Sequence, residues 1–79
     1  MTREEIFAEL KEVFCTVKPK LNQNTIKMDS NLVTDLGIDS LSMLLLSLAI
    51  ENKFNFQFAT QKPFQTVDEV VSYIEKAIN

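Results

Sequence analysis

Cysteine and histidine, the residues that most often build disulfides, zinc sites and catalytic pairs, are almost missing from this sequence. The 79-residue chain has one cysteine, Cys15, and no histidine. A single cysteine cannot form a disulfide within the chain. Without histidine, neither the common zinc sites nor the Ser–His and Cys–His pairs of nucleophilic enzymes can be assembled. We therefore predict a protein with no catalytic residues and no metal site.

Glycine and proline are also scarce, with one and two residues respectively. So few turn-forming residues argue against many short strands and favour helices. The apolar fraction of 46% and the charged fraction of 24% are typical of a globular chain. A chain of this length has room for one domain only. We predict an all-α domain that covers residues 1–79.

Long apolar runs are absent as well. Residues 1–5 lack the apolar core of a signal peptide. The longest apolar stretch, residues 41–50, is interrupted by Ser42 and Ser47 and falls short of the ~20 residues that span a bilayer. We therefore expect a soluble protein of the cytoplasm with no membrane span.

Basic residues are missing from the middle of the chain, which carries a charge of −4 against a total net charge of −3. Residues 29–51 carry four acids and no base. The chain thus has no basic patch that could replace counterions on phosphate, so we expect no nucleic-acid partner. The acidic segment either attracts a basic partner surface or is a solvated face.

Two capping signals mark the first two helices. Thr2 followed by Glu5 forms a capping box, and apolar residues at helical spacing predict a helix over residues 3–17. Asp39 is a good N-cap for a second helix over residues 40–54.

The rest of the chain predicts one long loop and one or two more helices. Thr66 and Glu69 form a second capping box, at the start of the last helix. Before it we expect an extended connector that leads into a short helix near residues 59–64. Residues 20–38 are polar and loop-like. Together these elements predict a small three-to-four-helix bundle with a long loop between the first and second helices.

The predicted second helix is apolar on two sides. On a helical wheel one face carries Met43, Leu46, Ile50 and Phe54, and the opposite face carries Leu41, Leu44, Leu45 and Leu48. Either both faces belong to the core, or one is exposed and docks partner proteins. Three helices can hardly cover both sides of one of them, so we favour the docking interpretation.

Residues 35–41 read D-L-G-I-D-S-L and place Ser40 at the first turn of the second helix. With no histidine to act as a base, Ser40 is not expected to be a hydrolase nucleophile. A helix N-terminus offers free backbone N–H groups and the positive end of the helix dipole, which favour a phosphate ester.

This motif resembles the signature of the acyl carrier protein family, and the order of helices and loops resembles that family over nearly the whole chain. The resemblance implies that a phosphopantetheinyl transferase attaches 4'-phosphopantetheine from coenzyme A to Ser40, and that Asp39 helps that enzyme recognise the site. It also implies a monomer that is not an enzyme. Its arm would hold acyl groups as thioesters and present them to enzymes of fatty-acid or polyketide synthesis.

The resemblance assigns two further groups of residues. Partner enzymes are expected at Leu41, Leu44, Leu45 and Leu48, and the tethered acyl chain is expected near Leu46, Phe58 and Phe64.

Two departures from the family pattern indicate a specialised carrier. Ser42 and Leu45 occupy positions that are commonly acidic in fatty-acid carriers, which leaves Glu51 as the one acid between Ser40 and residue 54. We expect weaker docking on basic enzyme patches and stronger apolar contact, as in a dedicated pathway, although lineage drift would produce the same change. The phenylalanines clustered in residues 54–64 either favour a short, flat or aromatic acyl chain or simply build the core.

Two alternatives stay open. A peptidyl carrier of non-ribosomal synthesis uses the same arm, but its motif usually reads G-G-x-S-L. An unmodified helical adaptor would bind partners through the Leu41, Leu44, Leu45 and Leu48 face, with Ser40 in the first turn of the helix and no cofactor.

Overall fold

Three α-helices make up most of the chain in the computed structural model, which describes residues 1–58 and 64–78. They are α1 (Arg3–Val17), α2 (Ser40–Phe54) and α3 (Val67–Ile78). The described residues contain no β-strand, so the all-α prediction is confirmed. No helix in these two ranges is long and apolar enough to cross a bilayer. The short helix expected near residues 59–64 falls almost entirely outside the described residues.

The predicted capping box is present at α1, whereas at α3 one of its two hydrogen bonds has a different partner. The Thr2 hydroxyl accepts from the Glu5 N–H at 3.2 Å, and the Glu5 carboxylate accepts from the Thr2 N–H at 2.9 Å. The hydrogen bond that the Thr2 N–H donates to the carboxylate is the largest cause that lowers the pKa of Glu5. At α3 the Thr66 hydroxyl accepts from the Glu69 N–H, but the Glu69 carboxylate accepts from Gln65, one residue before the expected partner.

The core is built around α1, which packs against both α2 and α3. The loop between α1 and α2 covers residues 18–39, includes a 3₁₀ helix at Gln23–Thr25, and sends apolar side chains into the same core. The fully buried side chains include Ile6, Leu10 and Phe14 of α1, Leu46 and Ile50 of α2, Val67, Val70, Val71 and Ile74 of α3, and Leu32 and Ile38 of the loop. Burial of this apolar surface is the main contribution to the free energy of folding.

One face of α2 belongs to the core and the other does not. Leu46 is 1% exposed, whereas the side chains of the outer face are between 48% and 66% exposed. That outer face, called here the leucine face, consists of Leu41, Leu44, Leu45 and Leu48. The expected exposure of one face of α2 is therefore confirmed, and the docking of partners on it stays a prediction.

Ion pairs at the surface connect α1 with the other two helices. The Arg3 guanidinium pairs with Asp68 and, at 3.1 Å, with Glu75 of α3. Lys53 of α2 lies 3.6 Å from Glu12 of α1. Each of these partly exposed pairs contributes little to the free energy of unfolding. Their main effect is to orient α2 and α3 relative to α1.

Candidate functional site

Ser40 is the first residue of α2 and its side chain is exposed. The backbone N–H groups of a first helical turn have no partner within the helix. These N–H groups form the positive end of the helix dipole, which stabilises a negative charge at the start of the helix. The start of α2 therefore favours a phosphate ester on the Ser40 hydroxyl.

Asp39 is the N-cap of α2, as predicted. Its carboxylate accepts from the Ser42 N–H at 2.8 Å, and its carbonyl accepts from the Met43 N–H at 2.8 Å. The hydrogen bonds from Ser42 lower the pKa of Asp39, and the nearby charge of Lys18 lowers it further. The carboxylate beside Ser40 is thus ionised at neutral pH and is held against the helix.

The loop before Ser40 is ordered by side chains that hydrogen-bond to its own backbone. The Asn31 side-chain oxygen accepts from the N–H groups of Val33 and Thr34, both at 2.9 Å. The Asp35 carboxylate accepts from the Asn31 N–H at 2.7 Å. These contacts fold residues 31–36 into a turn, and they give the first acid of the D-L-G-I-D-S-L motif a structural role.

Gly37 completes this turn. Its φ of +69° lies in the left-handed region, and its N–H donates to Val33 O at 3.1 Å. Glycine adopts this conformation without steric cost, which explains the chain's single glycine at this position. The next residue, Ile38, donates to Leu32 O at 2.9 Å and is buried, so the backbone that leads into Asp39 and Ser40 is fixed.

The same loop is attached to the start of α3. Leu32 N–H donates to Gln65 O at 2.9 Å, and Val67 N–H donates to Ser30 O at 3.1 Å. The start of α2 is therefore held by a loop that α3 itself supports. This link was not predicted, because neither segment shows the alternating pattern that marks a paired strand.

The leucine face begins next to Ser40 and carries no acidic side chain. Leu41 is 66% exposed and directly follows Ser40. The one acid within α2, Glu51, is half-buried, and its carboxylate accepts from the Phe58 N–H at 2.8 Å. The surface available to a partner along α2 is therefore apolar rather than acidic.

Two of the three predicted acyl-pocket residues lie side by side. The rings of Phe58 and Phe64 are 5.9 Å apart, and Tyr73 of α3 lies 5.1 and 5.5 Å from them. Both phenylalanines are half-buried and pack against the core cluster that contains the third residue, Leu46. Phe56 joins this group at 5.0 Å from Phe58. Tyr73 was not predicted to join these rings, because the sequence does not show how α3 packs beside residues 56–58.

Comparison with known proteins places this geometry in a family. The family model described as the phosphopantetheine attachment site matches residues 8–74. The chain belongs to this family. It is 39% identical to the acyl carrier protein of Coprothermobacter proteolyticus, over 95% of this chain and 93% of the relative. It is 42% identical to that of Wolinella succinogenes, over 89% and 93%, and 33% identical to that of Thermotoga maritima, over 98% and 96%.

Membership in the phosphopantetheine attachment family makes the chain a carrier protein rather than an enzyme, with a covalent phosphopantetheine cofactor. The site fits this group. An exposed serine hydroxyl at the start of a helix provides both the oxygen for the ester and a favourable environment for its phosphate. When bound, the arm supplies a thiol that holds an acyl group as a thioester.

Proposed function

We propose that this chain carries acyl intermediates of fatty-acid or polyketide synthesis on a phosphopantetheine arm attached to Ser40. The observation that carries the assignment to Ser40 is the solvent exposure of this residue. The described residues include all five serines of the chain, and Ser40 alone is exposed among them. Ser30 is buried, and the Ser47 hydroxyl donates to Met43 O within α2 at 3.0 Å.

Attachment forms a bond between the Ser40 oxygen and the phosphorus of the phosphopantetheine part of coenzyme A. It breaks the pyrophosphate bond, releases adenosine 3',5'-bisphosphate, and transfers the hydroxyl proton to the transferase. We propose that Asp39, fixed beside the hydroxyl, is part of the surface that the transferase recognises.

The experiment is an intact-mass measurement after incubation with coenzyme A, magnesium and a broad-specificity phosphopantetheinyl transferase. We expect the unmodified chain to gain one phosphopantetheine and Ser40→Ala to gain none. The matched control is Ser42→Ala, two residues further along α2, which should gain the group. A folded, unmodified chain that gains nothing would overturn the proposal and would favour an unmodified adaptor that uses the leucine face.

We propose further that the partners are enzymes of a dedicated pathway that dock on the leucine face mainly through apolar contact. The one carboxylate that α2 could offer to a basic enzyme patch, Glu51, is half-buried, accepts from the Phe58 N–H, and lies near the end of the helix away from Ser40. Apolar contact is insensitive to salt, whereas attraction between exposed charges is screened.

This docking proposal is tested by the KM of a general fatty-acid synthase enzyme for the modified chain at low and high ionic strength. We expect a high KM that changes little with salt. Leu45→Glu should lower the KM at low salt only, and Thr34→Glu, an added acid outside α2, is the control. Turnover equal to that of an ordinary fatty-acid carrier would contradict the dedicated pathway.

For the acyl group, we propose a short, flat or aromatic chain held near Leu46, Phe58 and Phe64. The ring contacts among Phe58, Phe64 and Tyr73 support this, because such a wall favours stacking over long aliphatic chains. Melting temperatures of chains loaded with acyl groups of increasing length test it. A long saturated group that stabilises as much as a short one would contradict it.

We also propose that residues 1–79 act as one domain, as a monomer in the cytoplasm. A mass of 9.0 kDa in light scattering is the expected result for the monomer, and twice that mass would contradict it.

A further inference from the structure

A cleft lies between the turn that follows α1 and the loop that leads to Ser40. Its volume is about 450 Å³, and it is lined by Lys18, Pro19, Lys20, Leu21 and Leu36. This volume is within the range of sites that bind small molecules in proteins. The turn side of the cleft is fixed, because Leu21 N–H donates to Lys18 O at 2.9 Å.

The loop side of the cleft is equally well fixed and is close to Ser40 in sequence. Leu36 is 4% exposed, and its N–H donates to Asn31 O at 3.1 Å. It stands four residues before Ser40, on the same ordered turn that positions Asp39. Both segments that line the cleft are therefore hydrogen-bonded turns, and the cleft lies toward the Ser40 end of α2.

The cleft combines two cations with an apolar lining. None of the ion pairs formed among the described residues involves Lys18 or Lys20. The charge of Lys18 also reaches Asp39, where it helps to lower the pKa of the carboxyl. Pro19, Leu21 and Leu36 supply the apolar part of the lining. A fitting ligand carries an anionic group at one end and a partly apolar, extended chain.

We propose that this cleft holds the phosphopantetheine arm of the same molecule, with the phosphate near Lys18 and Lys20 and the pantetheine chain against Leu21 and Leu36. The inference rests on the proposed function, because it requires the arm to be attached at Ser40. Phosphate is the anion that would be present at Ser40, and Lys binds phosphate as a point charge.

The cleft is distinct from the aromatic group proposed for the acyl chain. Phe56 and Phe58 follow the C-terminal end of α2, whereas Leu36 precedes its N-terminal end by four residues and the charge of Lys18 acts on the N-cap Asp39. The 15 residues of α2 separate the two ends by about 22 Å. An arm that rests in the cleft keeps its thiol away from the aromatic group. An acyl group that binds to the aromatic group would therefore draw the arm out of the cleft.

The test compares the unmodified and phosphopantetheinylated chains by NMR after an intact mass has confirmed complete modification. With the protein labelled in ¹³C and ¹⁵N and the arm unlabelled, we expect isotope-filtered NOEs from the geminal methyl groups of the arm to the methyl groups of Leu21. We also expect amide shift changes at Lys20, Leu21 and Leu36, beyond those next to Ser40.

A double variant, Lys18→Gln with Lys20→Gln, should lose these NOEs, and its amide shifts at Leu21 and Leu36 should return to those of the unmodified chain. The control is Lys27→Gln with Lys76→Gln, which removes the same charge elsewhere and should keep them. A fully modified chain without NOEs to Leu21, or one whose NOEs survive the loss of both lysines, would overturn the inference and leave the proposed function intact. Failure of the mass gain itself would instead count against the proposed function.

Discussion

Leu46 and Leu44 lie two residues apart near the middle of α2, but they face opposite environments. The side chain of Leu46 is 1% exposed and that of Leu44 is 58% exposed. Leu46→Ala removes buried atoms and leaves a cavity, which should lower the free energy of unfolding by about 2–5 kcal/mol. The same change at Leu44 removes no buried side chain and should alter it by no more than about 0.5 kcal/mol.

The Leu46→Ala loss is large relative to the stability of the whole chain. Small domains have unfolding free energies near the lower end of the usual ~5–15 kcal/mol, because they bury a smaller share of their surface. We therefore expect Leu46→Ala to lower the Tm by about 8 °C or more. The assay is urea unfolding of the unmodified chain, followed by circular dichroism at one pH and compared with the thermal melt.

Leu44→Ala is the matched control, since it makes the same chemical change in the same helix. The reasoning predicts that the two variants differ by at least about 1.5 kcal/mol, from the ranges given above. Equal losses would refute the one-sided burial of α2. The leucine face would then belong to the core, and the argument that it is free for partner enzymes would fail.

Three other predictions concern substitutions at single positions. Gly37→Ala should cost about 1–2 kcal/mol in urea unfolding, because φ is +69° although nothing lies within 4 Å of an added Cβ; no loss would contradict the left-handed turn. Asp39 should titrate below its ordinary pKa of 3.8 by NMR. Because this folded-state pKa is depressed, the stability that the Asp39 carboxylate provides is fully present above about pH 5 and is lost as the pH falls past the unfolded pKa and through the folded one. Asp39→Asn should remove that part of the loss of stability in acid, and a normal pKa would contradict the prediction. Arg3→Gln should cost less than about 1 kcal/mol and less still at high salt, since its pairs with Asp68 and Glu75 are partly exposed; a large, salt-independent loss would contradict this.

The helices could be predicted from the sequence because their signals are local. Thr2 and Asp39 are caps whose bonding partners lie within three residues, and apolar spacing defines the buried faces between caps and ends. The exposure of Ser40 also follows from its place in the first turn after a loop. These features depend on a few neighbouring residues, so a single sequence suffices to find them.

The support of the site depended on contacts between distant residues and could not be predicted in the same way. The hydrogen bonds that join Leu32 with Gln65 and Ser30 with Val67 link segments more than 30 residues apart. They have no pattern in either segment, because backbone groups of any residue type can make them. The contact of Tyr73 with Phe58 likewise depends on how α3 packs beside the residues that follow α2.

The glutamate at position 69 shows how a local rule can also fail by one residue. Its carboxylate bonds to the N–H of Gln65 instead of Thr66. Gln65 O is at the same time the acceptor for Leu32, so this residue is part of the link between the loop and α3. We infer that this link sets the approach of the chain to α3 and brings the Gln65 N–H within reach of Glu69.

The most direct test of acyl carriage on Ser40 is peptide mapping of the chain after modification and loading with an acyl group. We predict that tandem mass spectrometry finds acyl-phosphopantetheine on Ser40, and that hydroxylamine releases the acyl group and leaves the arm in place, as expected for a thioester. An arm on Ser42 or any other residue, or an acyl group that hydroxylamine does not release, would contradict the account.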